Sequence, residues 1–183
     1  MTNKMKIFKF LTFLFMISNS IMAQNFIPDT EKSKIYFTIK NLGINVNGSF
    51  SGLKGEIIFD AKNLNHSLIN VSVNSNSINT ENSTRDKHLR QNEYFDVEKF
   101  QEITFKSTKI ESSKRLNRYN VEGNFTIKGI SKLILFELTT TEKESNLDLK
   151  CNFEINRRTF KVGGSSLVLS DNVKIYINIT ANK

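Results

Sequence analysis

The stretch 145-SNLDLKCNFEIN-156 decides the fold. Leu147, Leu149, Cys151, Phe153 and Ile155 alternate with Asp148, Lys150, Asn152 and Glu154. A strand sends successive side chains to opposite faces, so a period of two means one dry face and one wet face. At ~3.3 Å per residue the run is about 35–40 Å long, well beyond a strand of ordinary length.

The same period recurs along the chain. Ile35, Phe37 and Ile39 alternate with Tyr36, Thr38 and Lys40, and Ile69, Val71 and Val73 with Asn70, Ser72 and Asn74. Tyr119, Val121, Phe125 and Ile127 form a third apolar series, and Val173, Ile175, Ile177 and Ile179 a fourth. Shorter candidates lie at 46–51, 55–60, 102–110 and 132–142. The expectation is an all-β domain of about eight antiparallel strands with tight links such as Lys143-Glu144-Ser145. One helix is expected over 82–90, capped by Asn82 or Ser83, with short helical turns near 61–66 and 156–161. Gly48 and Gly123 interrupt strand patterns, which predicts bulges or bends that help a sheet curl closed. Eight strands that close leave room for packed side chains or for one ligand. Periodicity leaves both open, and a filled interior is the commoner case.

Residues 1–23 read as a secretory signal peptide: Lys4, Lys6 and Lys9, then an apolar run from Phe10 to Ile17, then Ala23-Gln24 as the cleavage point. A periplasmic or secreted single domain over 24–183 follows. The chain carries a net charge of +8, of which the three signal lysines account for three, leaving +5 on the exported part. No basic stripe with interleaved exposed aromatics is present, so a nucleic-acid partner is not expected. The single cysteine, Cys151, shares its parity with Leu149 and Phe153 and reads as a core residue.

The densest cluster of charge is 84-TRDKHLRQNEYFDVEKFQEITFKST-108. A catalytic reading would use Asp86, His88 and Asp96. The plainer reading is a helix and turn with charges facing water and an apolar underside of Tyr94, Phe95, Val97 and Phe100, laid over the mouth of a barrel. His66 and His88 lack partners at metal-ligand spacing. No serine sits in a Gly-x-Ser-x-Gly setting. Gly163-Gly164-Ser165-Ser166 lacks the lysine of a phosphate cradle and reads as a flexible loop. Neither catalysis, a cofactor nor a metal is expected.

At this segment the sequence resembles the YceI-like family of exported polyisoprenoid-binding proteins. The likeness is carried by Arg85-Asp86-Lys87-His88-Leu89, by Tyr94-Phe95-Asp96-Val97-Glu98-Lys99-Phe100 and by Ile103-Thr104-Phe105-Lys106-Ser107-Thr108. Blocks in matching order include Ile39–Gly43, Gly48–Phe50, Gly55–Asp60, Ser77–Thr80, Phe125–Lys132 and Asn156–Phe160, so it covers essentially 27–181. Lys32-Ser33, Leu133 and Phe26 depart from the family's usual histidine-serine, proline and tryptophan. The resemblance implies an extended, lipocalin-like eight-stranded antiparallel barrel with one or two short helices. It implies an apolar pore for an isoprenoid lipid, such as a polyprenyl chain or a quinone tail. Transient contact with a membrane is a further expectation on the partner side. Parity then places the lipid along Ile35, Phe37, Ile39, Phe50, Val71, Val73, Phe105, Val121, Phe125, Phe136, Cys151, Phe153, Ile175 and Ile177. The alternative is a filled barrel serving as an interaction or stress-protection module.

Overall fold

The structure is a computed structural model and describes residues 24–183. The signal peptide expected over 1–23 lies outside the described residues. Ten strands form one antiparallel sheet: β1 (Gln24–Pro28), β2 (Lys34–Asn41), β3 (Ile44–Phe50), β4 (Lys54–Phe59), β5 (Leu68–Asn74), β6 (Glu102–Ser112), β7 (Arg118–Ile127), β8 (Ile130–Glu142), β9 (Asn146–Asn156) and β10 (Leu169–Asn182). One helix, α1 (Ser83–Leu89), follows β5, with 3-10 turns at Leu64–His66, Ser75–Ser77 and Arg157–Phe160.

The ten strands make eight staves. β1 and β2 both pair with β10, β1 through Ile27↔Asn182 and β2 through Tyr36↔Tyr176, so they run end to end along it. β3 pairs with β2, while β4 pairs with β1, so these two likewise share one stave. Each later strand pairs with its predecessor, and β10 closes the cylinder on the β1–β2 stave. The interruption between β1 and β2 is held by Asp29. Its Oδ1 accepts from the backbone N–H of Glu31 and of Lys32, and the Lys32 ammonium lies 3.0 Å from Oδ2. These bonds hold the Asp29 carboxyl well down, at about 2.

The long-strand reading holds: β6 to β10 run from 10 to 14 residues. β1 was not foreseen. Its five residues include Pro28, and proline normally argues against a strand. Here Pro28 sits at the end of the ladder, and Phe26 beside it is fully buried.

The glycines act differently from the expectation. β2 and β3 keep unbroken register through Phe37↔Gly48, and the irregularity near Gly123 lies on the partner strand, between Ser107 and Lys109 of β6. Both glycines face inward and lie under aromatic rings. A Cβ on Gly48 would come within 2.4 Å of the Phe37 ring, and one on Gly123 within 2.5 Å of the Phe105 ring.

Candidate functional site

The barrel interior is filled at one end and hollow at the other. Near the β6–β7 and β8–β9 turns, Phe26, Ile57, Val121, Leu147 and Ala181 are completely excluded from water, and Leu138 and Leu149 nearly so. The Phe59 and Tyr119 rings meet edge to face there, 5.1 Å apart. Toward the other end a cavity of about 530 Å³ opens, walled by β2, β3, β5, β6, β7 and β10, with Ile155 of β9. Its size falls within the range of small-molecule sites, about 300–1,000 Å³.

Ten of the fourteen residues placed on the channel by parity line this cavity: Ile35, Phe37, Ile39, Phe50, Val71, Val73, Phe105, Phe125, Ile175 and Ile177. Val121, Phe136, Cys151 and Phe153 do not. They face inward as expected, but Val121 and Phe136 belong to the packed core, and Cys151 and Phe153, partly buried, pack against it. The β8–β9 ladder explains why. It runs only from Glu142↔Leu147 to Leu138↔Cys151, although both strands continue beyond. Aromatic rings occupy the divergence. Phe136 stacks on Phe153 with centroids 5.1 Å apart, and Phe125 meets Phe153 and Phe160 edge to face at 5.8 Å each. Burial pushes the Cys151 thiol up to about 12, the expectation for a core thiol and not a reactive one.

The lid is built from the charged segment. Asn82 caps α1, its Oδ1 accepting from the Arg85 N–H at 2.9 Å. Leu89, Tyr94 and Phe95 line the cavity, and Phe95 meets Phe50 edge to face at 5.4 Å. The reading of its charges as solvated fails at Asp86, which is buried. Its Oδ1 accepts from the Thr80 N–H at 2.9 Å and the Thr80 hydroxyl at 2.6 Å. Arg85 donates to the Thr80 hydroxyl and carbonyl, both at 2.7 Å. Arg90 donates to the carbonyls of Asn76 and Ile78. A buried carboxylate must be hydrogen-bonded, and this one fixes the helix to the chain leaving β5. The His88 ring lies 5.0 Å from Tyr94, edge to face. Asp96 sits in a turn with positive φ (50°), its carbonyl accepting from the Phe100 N–H. Asp86, His88 and Asp96 thus serve separate structural contacts and share no hydrogen bond.

Arg157 was missed by sequence reasoning. It is buried beside the cavity and donates to the carbonyls of Ser170 (2.9 Å) and Val162 (2.8 Å) and to Asp171 Oδ1 (3.1 Å). It ties the start of β10 to the loop 161–168, whose Gly164, Ser165 and Ser166 form part of the cavity mouth. Lys128 adds a further tie, donating from Nζ to the carbonyls of Asn92 and Lys161. The cavity is therefore apolar along its walls, with polar groups such as Arg85, His88 and Glu93 gathered at the lid. Among the described residues, no group of three His, Cys, Asp or Glu side chains comes together as metal ligands.

Comparison with known proteins matches residues 26–181 to the YceI-like domain. The UPF0312 protein YE1254 of Yersinia enterocolitica is 37% identical over 131 residues, 70% of this chain and 67% of that protein. The crystal structure of Burkholderia cenocepacia BcnA superposes with a TM-score of 0.80 at 22% identity, covering 85% of this chain and 99% of that one. A polyisoprenoid binding domain from Saccharophagus degradans, implicated in plant cell wall breakdown, superposes with a TM-score of 0.72 at 14% identity, covering 88% and 99%. At these identities the two structures speak for the fold alone.

Proposed function

The chain belongs to the YceI-like family, and from that premise we propose that it binds the apolar tail of an isoprenoid lipid, polyprenyl or quinone, without chemistry. The observation that carries the reading is the lidded apolar cavity of about 530 Å³ in one half of an otherwise filled barrel. Such a space is costly to leave empty, because its walls lose their dispersion partners. At roughly 30 Å³ per non-hydrogen atom, the share of a water in the liquid, it accepts on the order of 18 atoms, or three to four five-carbon units. A longer tail extends through the mouth. Each buried methylene contributes about 0.8 kcal/mol, offset by the cost of withdrawing the tail from a membrane. The choice of an isoprenoid among apolar ligands rests on the family to which residues 26–181 match and on the resemblance of its sequence blocks to polyisoprenoid-binding proteins.

The setting we assign is the periplasm or the exterior, after removal of residues 1–23, with the domain over 24–183 carrying or storing the lipid. A filled interaction or stress-protection module would not need an open cavity of this size. Mass spectrometry of solvent extracts from the purified exported protein tests the reading. A stoichiometric isoprenoid that rebinds after delipidation is expected. Folded, delipidated protein that takes up no polyprenyl chain overturns it.

A further inference from the structure

We infer that the rim of the cavity mouth is a docking surface for an anionic lipid bilayer; this rests on the lipid-binding reading and names the donor or acceptor that the site faces. Two segments form the rim, the β2–β3 hairpin tip over 40–47 and the loop over 161–168. They are joined where the Leu42 N–H donates to the Val168 carbonyl at 2.9 Å. Leu42 and Ile44 are 72% and 71% exposed, Leu167 is fully exposed and Val168 is exposed beside it. Residues close to them in sequence line the cavity: Asn41 and Val46 on the hairpin, Ser166 and Val168 itself on the loop, and Leu169 at the start of β10. The exposed apolar side chains are thus continuous with the greasy wall.

Leu42 is the strongest sign. The tip is a two-residue turn, Leu42-Gly43, with φ of 52° and 79°. Such turns favour asparagine, aspartate or glycine, because other residues are strained at positive φ. A leucine here is strained and hydrated at once, and the fold gives it little burial in return. An outlier of this kind points to function.

The charge and composition of the rim choose the occupant. The two segments contain Lys40 and Lys161, both exposed, and no acidic residue. They hold aliphatic side chains and lysine but no tryptophan, tyrosine or arginine. Protein interfaces are enriched in those three and depleted of lysine. Aliphatic side chains flanked by lysine suit the boundary between anionic headgroups and acyl chains.

The test uses the purified exported protein with phosphatidylcholine vesicles, with and without phosphatidylglycerol. The variant is Leu42→Asn with Leu167→Ser, in which the first change relieves the turn. The control is Leu116→Ser, an exposed leucine in the β6–β7 turn at the opposite end. Wild type is expected to co-sediment with phosphatidylglycerol vesicles and to be released by salt. The double variant is expected to bind them about tenfold more weakly with an unchanged or raised Tm, and the control to bind as wild type. Polyprenyl lipid delivered from cyclodextrin, with no membrane present, should still enter the double variant. If that lipid fails to enter wild type while vesicle binding stands, the ligand assignment falls and the docking surface survives. Wild type that ignores both vesicle types, that binds neutral ones equally well, or whose vesicle binding is untouched by the double variant overturns the proposal.

Discussion

Phe136→Ala and Phe37→Ala remove the same ring from the two kinds of interior. Phe136 is buried, stacked on Phe153 at 5.1 Å and tilted against Phe105 at 5.3 Å. Deleting it leaves a void inside packed material, which costs about 3–5 kcal/mol. Phe37 is half-buried, with its ring against Gly48 on one side and the cavity on the other. Because part of its surface already faces empty space, its loss should cost only about 1–2 kcal/mol. For a domain of this size 1 kcal/mol moves Tm by about 2–4 °C, so the shifts are about 6–20 °C against about 2–8 °C. Thermal and urea unfolding of delipidated protein measure the difference. Repeating both with a polyprenyl lipid adds the second readout, since ligand at ~100 times Kd stabilises by about 2.7 kcal/mol. Phe136→Ala should retain that gain and Phe37→Ala should lose much of it. Equal destabilisation by both changes, with an equal response to lipid, would show that the cavity is not a separate compartment.

Gly123→Ala places a Cβ 2.5 Å from the Phe105 ring and 2.6 Å from the Lys106 carbonyl, and should cost about 1–3 kcal/mol while reducing lipid uptake. Gly164→Ala, with nothing within 4 Å, should be neutral in the same denaturation series. Asp29 is held down to about 2, chiefly by the hydrogen bond from the Lys32 side chain. A carboxylate so depressed adds stability that is whole above its unfolded value near 3.9 and is lost as pH falls toward about 2. The Tm gap between wild type and Asp29→Asn should therefore be widest above about pH 4 and close toward the lower value. Cys151, pushed up to about 12 by burial, should resist iodoacetamide at pH 8 in the native protein and react once unfolded, as read by mass spectrometry.

What the sequence made legible was direction, and what it hid was context. Alternation told which side chains face inward, because a strand's period is a local property. It treated Val71 and Val121 alike, yet one lines the cavity and the other is completely buried in the plug. That distinction depends on where the β8–β9 ladder ends and what fills the gap, and pairing between distant strands leaves no mark in a single strand. Phe26 was hidden because its strand is five residues long and ends in proline. Arg157 was hidden because it stands beside Arg158, which is exposed, and nothing in the pair says which one turns inward. Asp86 could have been found: a Thr six residues before an Asp at the start of a helix offers both of the donors that the carboxylate takes up.

The two glycines explain why one half stays hollow. In a barrel of eight staves the inward side chains meet at the centre and fill it when every position carries a sizeable residue. Gly48 and Gly123 are inward positions with no side chain, and the rings of Phe37 and Phe105 lie against the bare backbone they leave. Rings laid along the wall do not cross the lumen. At the opposite end Val121, Leu147 and Leu149 occupy inward positions and no space remains. The bulge between Ser107 and Lys109, opposite Gly123, falls at this transition. The absence of two side chains thus converts a filled barrel into a lined one. A larger residue at either glycine should return its half toward the packed condition, with lipid capacity falling before the fold is lost.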